Sequence, residues 1–195
     1  MDKTQLMQAV AENNTRLVKE LVDAKADVDG RGKNRVTPLI LAAERGNAEI
    51  TSILLQAKAC VDVKDNSGHT ALSAAAKKGN AQVATLLINA KADLEVTDPS
   101  SLAPLVVAAS NGHVEVLERL LETNPSLDSI NLAMSSAANE GHIDAVKVLL
   151  NHNADVDTPD QMTKTPLVNA IFNSRKDMLK FLIDAKAALD LGSLL

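Results

Sequence analysis

Residues 37–43 read Thr-Pro-Leu-Ile-Leu-Ala-Ala, and a closely similar stretch, Thr-Ala-Leu-Ser-Ala-Ala-Ala, returns at 70–76. The match recurs as Ala-Pro-Leu-Val-Val-Ala-Ala at 103–109 and as Thr-Pro-Leu-Val-Asn-Ala-Ile at 165–171. Degenerate copies begin at Thr4 and Leu132, so the six starts (4, 37, 70, 103, 132 and 165) lie 33, 33, 33, 29 and 33 residues apart. A period in this range, with helix-sized apolar clusters in each copy, is typical of a stacked helical solenoid.

The copy over residues 32–64 indicates how each repeat folds. Thr37 can cap a helix with its hydroxyl, and Pro38 suits the first helical position because the N–H that it lacks would be unpaired there. Gly46 is expected to end this helix, since glycine tolerates the left-handed backbone of a helix terminus. A second helix is predicted from about 48 to 57, where isoleucine and leucine recur at helical spacing. The segment that follows is rich in Asp, Asn, Ser and Gly, which predicts a projecting finger loop.

Four motifs of these copies occur together: a Thr-Pro-Leu-x-x-Ala-Ala start, a Gly-His or Gly-Asn break, a Leu-Leu pair and an Ala-Asp-Val-Asp finish. In this combination they resemble ankyrin repeats, and the resemblance runs from about Thr4 to Asp190. It implies an all-α repeat fold, an ankyrin-type solenoid of about six helix-turn-helix repeats with β-hairpin finger loops. Residues 1–195 are then expected to form a single ankyrin-repeat domain.

The chain departs from the family pattern at the position before the Ala-Asp finish, where glycine is usual. Asparagine accepts a left-handed backbone fairly well, whereas lysine does so at some cost. We therefore expect slightly strained or rearranged loops with exposed lysines, and the shared Ala-Lys-Ala context favours duplication over function. The residues at this position are Lys25, Lys58, Lys91, Asn124, Asn153 and Lys186.

A second departure is the short period of 29 residues between the fourth and fifth copies. The segment 127–132 replaces a full finger of about ten residues, and Ser129 or Asn131 is predicted to cap the following helix in place of threonine. The shortened finger is either a harmless loop deletion or a gap shaped for a partner.

Composition and motifs favour a non-catalytic protein. Neither a phosphate-binding glycine loop nor a Gly-x-Ser-x-Gly elbow is present, and the four histidines lack the partner spacing of a metal site, so no cofactor or metal is predicted. Cys60 is the only cysteine and is expected to be a partly buried, unreactive residue in a reducing compartment. No apolar stretch or basic leader predicts a membrane span or secretion signal, so the expectation is a cytoplasmic protein, with specialised export left open.

The resemblance also implies where a partner binds, because ankyrin-like arrays usually contact partners with the finger tips and the exposed ends of the first helices, which line a concave groove. Carried over position by position, it singles out a partner-binding set with basic, polar and apolar members. These residues are Arg31, Lys33, Arg35, Arg45, Lys64, His69, Lys77, Lys78, Leu102, Asn111, Met162 and Phe172.

Charge is distributed unevenly along the chain. Residues 1–97 carry 13 Lys and Arg against 12 Asp and Glu, a net charge of +1, whereas residues 98–195 carry 7 against 13, a net charge of −6. An acidic protein is thus expected to hold a basic patch at its binding positions, with Glu44 the main exception there. The patch consists of Arg31, Lys33, Arg35, Arg45, Lys64, Lys77 and Lys78.

The predicted function is therefore a protein-interaction module that grips an acidic or amphipathic segment of another protein. Arg35, Arg45, Lys77 and Lys78 are the residues expected to steer it, with Leu102 and Phe172 as anchors. Nucleic acid is the weaker alternative, because the protein is acidic overall and lacks aromatic side chains for stacking on bases. Solubilising lysines without a partner, a bacterial effector acting on host proteins, a targeting subunit of an enzyme, and self-association through the C-terminal end remain open.

Overall fold

A computed structural model describes residues 3–95, 103–159 and 164–185. Within these ranges the chain forms twelve α-helices and one short 3₁₀ turn, and none of the described residues lies in a β-strand. The chain divides into two compact units, Met1–Pro104 and Leu105–Leu195. The helices are α1 (Lys3–Ala11), α2 (Thr15–Asp23), α3 (Pro38–Arg45), α4 (Ala48–Gln56), α5 (Ala71–Lys78), α6 (Ala81–Asn89), α7 (Pro104–Ser110), α8 (Val114–Leu121), α9 (Leu127–Glu140), α10 (Ile143–Asn151), α11 (Pro166–Phe172) and α12 (Lys176–Asp184).

The start and stop residues read from the repeat act as predicted. The Thr37 hydroxyl oxygen accepts a hydrogen bond from the Ile40 N–H at 3.2 Å, and Pro38 occupies the first turn of α3. Gly46 ends α3 in the left-handed conformation, with φ of 70°. The same cap recurs at Thr165, whose hydroxyl accepts from the Val168 N–H at 3.4 Å. These bonds satisfy backbone groups that a helix end leaves without an intrahelical partner.

The N-terminal unit is a stack of two helix layers. The first helices of successive repeats pack on one another, α1 on α3 and α3 on α5, while the second helices stack as α2 on α4 and α4 on α6. Alanines 42, 43, 75 and 76 are fully buried in the first layer, because small side chains let neighbouring helices approach closely. In the C-terminal unit α9 packs on α10 and α11, and α8 packs on α10.

The loops that replace glycine by lysine are left-handed, as expected. Lys25, Lys58 and Lys91 have φ of 63°, 64° and 64° and are exposed. Asn124 and Asn153 adopt the same conformation in the C-terminal unit, whereas Lys186 lies outside the described residues. An L-residue in this region costs about 1–2 kcal/mol relative to right-handed backbone, so each lysine is a local strain.

Helix α9 begins earlier than the sequence predicted. Its cap is Ser126, whose hydroxyl accepts from the Ser129 N–H at 3.2 Å, so the prediction that Ser129 or Asn131 caps it was wrong. Pro125 precedes the cap and cannot continue a helix from the α8 side. The residues of the shortened finger are therefore helical, and α9 is 14 residues long.

Asn131 instead takes part in a series of bonds between successive repeats. The Asp29 carboxylate accepts from the Cys60 N–H and the Asp62 carboxylate from the Asp93 N–H, each at 2.8 Å. The Asn131 side-chain oxygen accepts from the Asp155 N–H at the same distance. The Asn131 side chain, on helix α9, thus accepts the same inter-repeat hydrogen bond that a loop aspartate accepts in the N-terminal unit.

Cys60 is exposed, so the prediction that it is partly buried was wrong. A hydrogen bond from the thiol to Asp29 and the negative charge of that carboxylate both raise the pKa of Cys60. A raised pKa leaves less thiolate at neutral pH, which keeps the exposed sulfur weakly nucleophilic.

Candidate functional site

The first finger, residues 31–36, is a tight turn that carries three cationic side chains. The Gly32 N–H donates to the Val36 carbonyl oxygen at 2.9 Å, and the Arg35 N–H donates to the Gly32 carbonyl oxygen at 3.2 Å. Asn34 and Arg35 at the tip both have left-handed backbone, with φ of 58° and 62°. Arginines 31 and 35 and lysine 33 are exposed. The turn therefore presents positive charge to solvent from a conformation that usually favours glycine or asparagine.

The second finger, residues 64–69, repeats these two hydrogen bonds one repeat later, although Ser67, the counterpart of Asn34, is not left-handed. The Asp65 N–H donates to the His69 carbonyl oxygen at 3.0 Å, and the Gly68 N–H donates to the Asp65 carbonyl oxygen at 3.2 Å. Gly68, with φ of 79°, holds the position that Arg35 holds in the first finger. Asp65 correspondingly holds the position of Gly32.

A carboxylate closes the second finger from inside. One Asp65 oxygen accepts from the Ser67 N–H at 2.7 Å and from the His69 N–H at 2.9 Å. The other lies 3.6 Å from Nδ1 of His69, whose side chain is only 16% exposed. His69 is therefore packed within its turn, while Lys64 at the start of this finger is exposed.

Backbone and side-chain bonds hold the fingers and helix ends of adjacent repeats together. The Asn66 N–H of the second finger donates to the Asn34 carbonyl oxygen of the first at 2.9 Å. At the helix ends, Nδ2 of Asn80 donates to the Ala43 carbonyl oxygen in the last turn of α3 at 2.7 Å. Because α3 packs on α5, their last turns are neighbours; those turns carry the exposed residues Arg45, Lys77 and Lys78.

Most of the basic patch lacks an internal counter-charge. Lys64 and Lys77 make contacts of their own. The other five members form no ion pair with any residue in the described ranges. None of these five side chains therefore has a described carboxylate within ion-pairing distance. These five are Arg31, Lys33, Arg35, Arg45 and Lys78.

Two of the predicted contact residues, Phe172 and Asn111, lie at helix ends in the C-terminal unit. Phe172, at the end of α11, is 56% exposed, and Nζ of Lys164 lies 4.3 Å from its ring centroid. Asn111 is exposed but its side-chain amide donates to the Val107 carbonyl oxygen at 2.8 Å, which closes its own helix end. Leu102 and Met162 lie outside the described residues.

Sequence reasoning missed some features of this surface. Ile171 and Ile183 are 39% and 52% exposed. Repeat periodicity did not indicate the exposure of Ile171, because the equivalent alanines 43, 76 and 109 are buried. Gly32 was also missed, although its alignment with Asp65 was a readable signal. The cation–π contact of Lys164 with Phe172 could not be read from spacing alone.

The histidines have structural surroundings. His113 and His142 occupy the N-cap positions of α8 and α10 without a side-chain capping bond, and Nε2 of His142 lies 3.1 Å from the Ser110 carbonyl oxygen. No three His, Cys, Asp or Glu side chains in the described part of the chain are arranged to hold a metal ion. The helices described there include none with the length and apolarity to span a membrane.

Stacked helix pairs that present a row of turns and helix ends define a repeat scaffold, a class that works through its surface. The sequence profile described as ankyrin repeats (3 copies) matches residues 6–98 and 105–192, and the chain belongs to this family. No curated protein matches the sequence significantly.

Two solved structures illustrate the likeness. The human ASB11 ankyrin repeat domain aligns with TM-score 0.86 and 28% identity, covering 95% of this chain and 85% of that one. A chain in the complex of the predatory endopeptidase Bd0816 from Bdellovibrio bacteriovorus with immunity protein Bd3460 aligns with TM-score 0.81 and 29% identity. That alignment covers 94% of this chain and 99% of the other. Ankyrin repeats are in general protein–protein interaction modules.

Proposed function

We propose that this chain is a non-catalytic interaction module whose N-terminal unit binds an acidic segment of a partner protein. The observation that carries the proposal is a set of five exposed cations at the finger and helix ends without an ion pair in the described structure. In a protein of net charge −5, this concentration of positive charge favours negative partners at one place. Complementary charge raises the association rate and selects against wrong partners more than it adds affinity.

An apolar contact adds to this in the C-terminal unit. Phe172 is an exposed aromatic, and aromatic side chains are over-represented among the residues that dominate binding energy. Its face toward Lys164 is already occupied, so a partner would pack on the opposite face or on Ile171 beside it. This surface would contact apolar residues of a partner.

Three alternatives have less support. Nucleic acid would meet a net charge of −6 on residues 98–195, which opposes a long polyanion. An effector acting on host proteins and a targeting subunit of an enzyme both use the same kind of surface and differ only in the partner. The similar complex of an endopeptidase with an immunity protein makes a protease one partner class to look for.

Affinity capture with a charge-reversed variant tests the proposal. The variant Arg35→Glu/Arg45→Glu/Lys77→Glu/Lys78→Glu is compared with wild type, and bound proteins are identified by mass spectrometry. Its matched control, Lys19→Glu/Lys25→Glu/Lys58→Glu/Lys91→Glu, changes the net charge equally at exposed positions outside the basic patch. We expect the partner to be kept by wild type and control and lost by the variant, with all three folded by circular dichroism. Equal retention of the partner by all three proteins would contradict the proposal.

A further inference from the structure

The two fingers of the N-terminal unit differ in whether they contain a carboxylate. The second finger contains Asp65, whose carboxylate accepts from the Ser67 and His69 N–H groups at 2.7 and 2.9 Å. The first finger has the same turn hydrogen bonds, but glycine 32 stands at the aspartate position. The two turns thus share these hydrogen bonds, but only the second contains a carboxylate. They also differ at the tip, where Asn34 is left-handed with φ of 58° and its counterpart Ser67 is not.

The amide groups that a carboxylate would contact are still present in the first finger. Asn34 and Val36 are the counterparts of Ser67 and His69. The Asn34 N–H has no acceptor in the described structure, and the Val36 N–H makes only a 3.2 Å bond to the Lys33 carbonyl oxygen. The amide of Asn34 is therefore a donor available to an outside acceptor.

The side chains around this turn have the charge that such an acceptor needs. Arg31, Lys33 and Arg35 are exposed and form no ion pair with a described residue. Arg35 even holds a left-handed position that Gly68 fills in the second finger. Strained residues of this kind persist where the surroundings or a function require them.

We propose that the first finger receives a carboxylate side chain of the partner at its tip, beside the Asn34 N–H. An aspartate or glutamate of the partner accepts from the Asn34 N–H, while the three cations around it neutralise its charge. This inference rests on the proposed function and deepens it, because it names the chemical group that is recognised and the turn that recognises it.

The test is a nuclear magnetic resonance titration of the ¹⁵N-labelled protein with N-acetylated hexaglutamate at low ionic strength. We expect the Asn34 amide proton to move downfield in a saturable way, as a new charge-assisted hydrogen bond forms. The variant Gly32→Asp supplies an internal carboxylate and should weaken binding about tenfold. The backbone at Gly32 has φ of −85°, which aspartate adopts readily, and only the flexible end of Met7 lies 3.0 Å from the added Cβ.

Two controls separate a specific site from general attraction. Gln82→Glu, at an exposed position of α6, changes the net charge by the same amount and should leave hexaglutamate affinity within about twofold of wild type. Arg35→Gly restores the residue of the second finger and should weaken binding about threefold while keeping the turn. Hexathymidylate serves as a polyanion without carboxylates.

Three results would overturn the inference: no shift of the Asn34 amide, equal affinities of Gly32→Asp and Gln82→Glu, or equally tight binding of hexathymidylate at this amide. Its failure is distinguishable from failure of the proposed function. If a partner were captured through Arg45, Lys77 and Lys78 while hexaglutamate did not bind the first finger, the proposed function would be supported and the inference rejected.

Discussion

Three lysines of the N-terminal unit have strained, left-handed backbone at the same position of successive repeats. Lys25, Lys58 and Lys91 each follow the C-terminal end of a second helix in left-handed conformation. A cation there interacts favourably with the helix dipole, by about 0.3–1 kcal/mol, which offsets part of the strain. Since the backbone cost is about 1–2 kcal/mol, the strain is the larger effect.

Replacing one of these lysines should therefore stabilise the protein. We expect Lys58→Gly to raise the free energy of unfolding by about 0.5 kcal/mol, because relief of strain exceeds the lost dipole contact and the greater freedom of glycine in the unfolded chain. Urea denaturation measures the change. Lys19→Gly, at an exposed position inside α2, should instead lower stability by about 1 kcal/mol. A loss of stability in Lys58→Gly would show that left-handed strain does not dominate at this corner.

Cys60 offers a prediction on pH dependence at the same scale. Its thiol hydrogen-bonds to Asp29 and lies near that negative charge, so its pKa is raised and its alkylation should begin at higher pH than that of an ordinary cysteine. Asp29→Asn removes the charge but keeps an oxygen for the Cys60 N–H, so the pKa should fall and iodoacetamide should react faster at pH 8. Rates measured across the pH range check this. Identical profiles for the two proteins would contradict the assigned cause.

Among the helices, α9 shows how an element boundary depends on a single cap. Ser126 starts the helix with a bond from the Ser129 N–H, and Asp128 in the first turn complements the positive end of the helix dipole. The extra turns bring Asn131 to the Asp155 N–H, which links the loop after α10 to this helix. The added helix thus replaces a contact that a loop aspartate makes elsewhere.

Removing that cap should unravel the first turn of α9. We expect Ser126→Ala to lower the free energy of unfolding by about 1 kcal/mol, the usual worth of an N-cap side chain. Ser136→Ala is the control, because Ser136 only bonds back to the Leu132 carbonyl oxygen within the helix and should change stability by less than about 0.5 kcal/mol. Thermal and urea unfolding of both variants give the comparison. Equal effects would mean that the cap bond adds little.

At the scale of the whole chain, charge separation is the property most relevant to binding. Residues 1–97 have a net charge of +1 and residues 98–195 of −6, so a negative partner is attracted mainly by the basic patch. Exposed charges interact over about 8–10 Å at physiological salt, which makes this attraction dependent on ionic strength.

Binding of the captured partner should accordingly weaken as salt is added. We expect its dissociation constant to rise about tenfold between 50 and 300 mM NaCl, chiefly through a slower association rate. Surface plasmon resonance at several salt concentrations measures both rates. The charge-reversed variant should lose this dependence, whereas the matched control should keep it. A salt-independent partner would have to bind through apolar contacts such as that of Phe172.

What could be predicted from the sequence follows from local chemistry that repeats. Thr37, Pro38 and Gly46 act on backbone within one turn of themselves, so their pattern was enough to place helix starts and stops. The left-handed lysines were predictable for the same reason. The family resemblance singled out the residues of the basic patch, which stay a prediction as a binding site. Which of them lack an ion pair could not be predicted, because that depends on side chains distant in sequence.

The sequence by itself therefore determined the repeat, the helix pairs and the family, since these depend on caps, turns and apolar spacing within about 33 residues. Only the tertiary structure showed that Ser126 begins α9, that Asn131 bonds to the next repeat and that Cys60 is exposed beside Asp29. It also showed that His69 is packed against Asp65 while the first finger has no such carboxylate. The Asn131 and Cys60 contacts join segments 24 and 31 residues apart, which a repeat pattern does not specify. The Ser126 cap and the Asp65 contacts are local, but several residues nearby could have made them, and only the path of the backbone selects one.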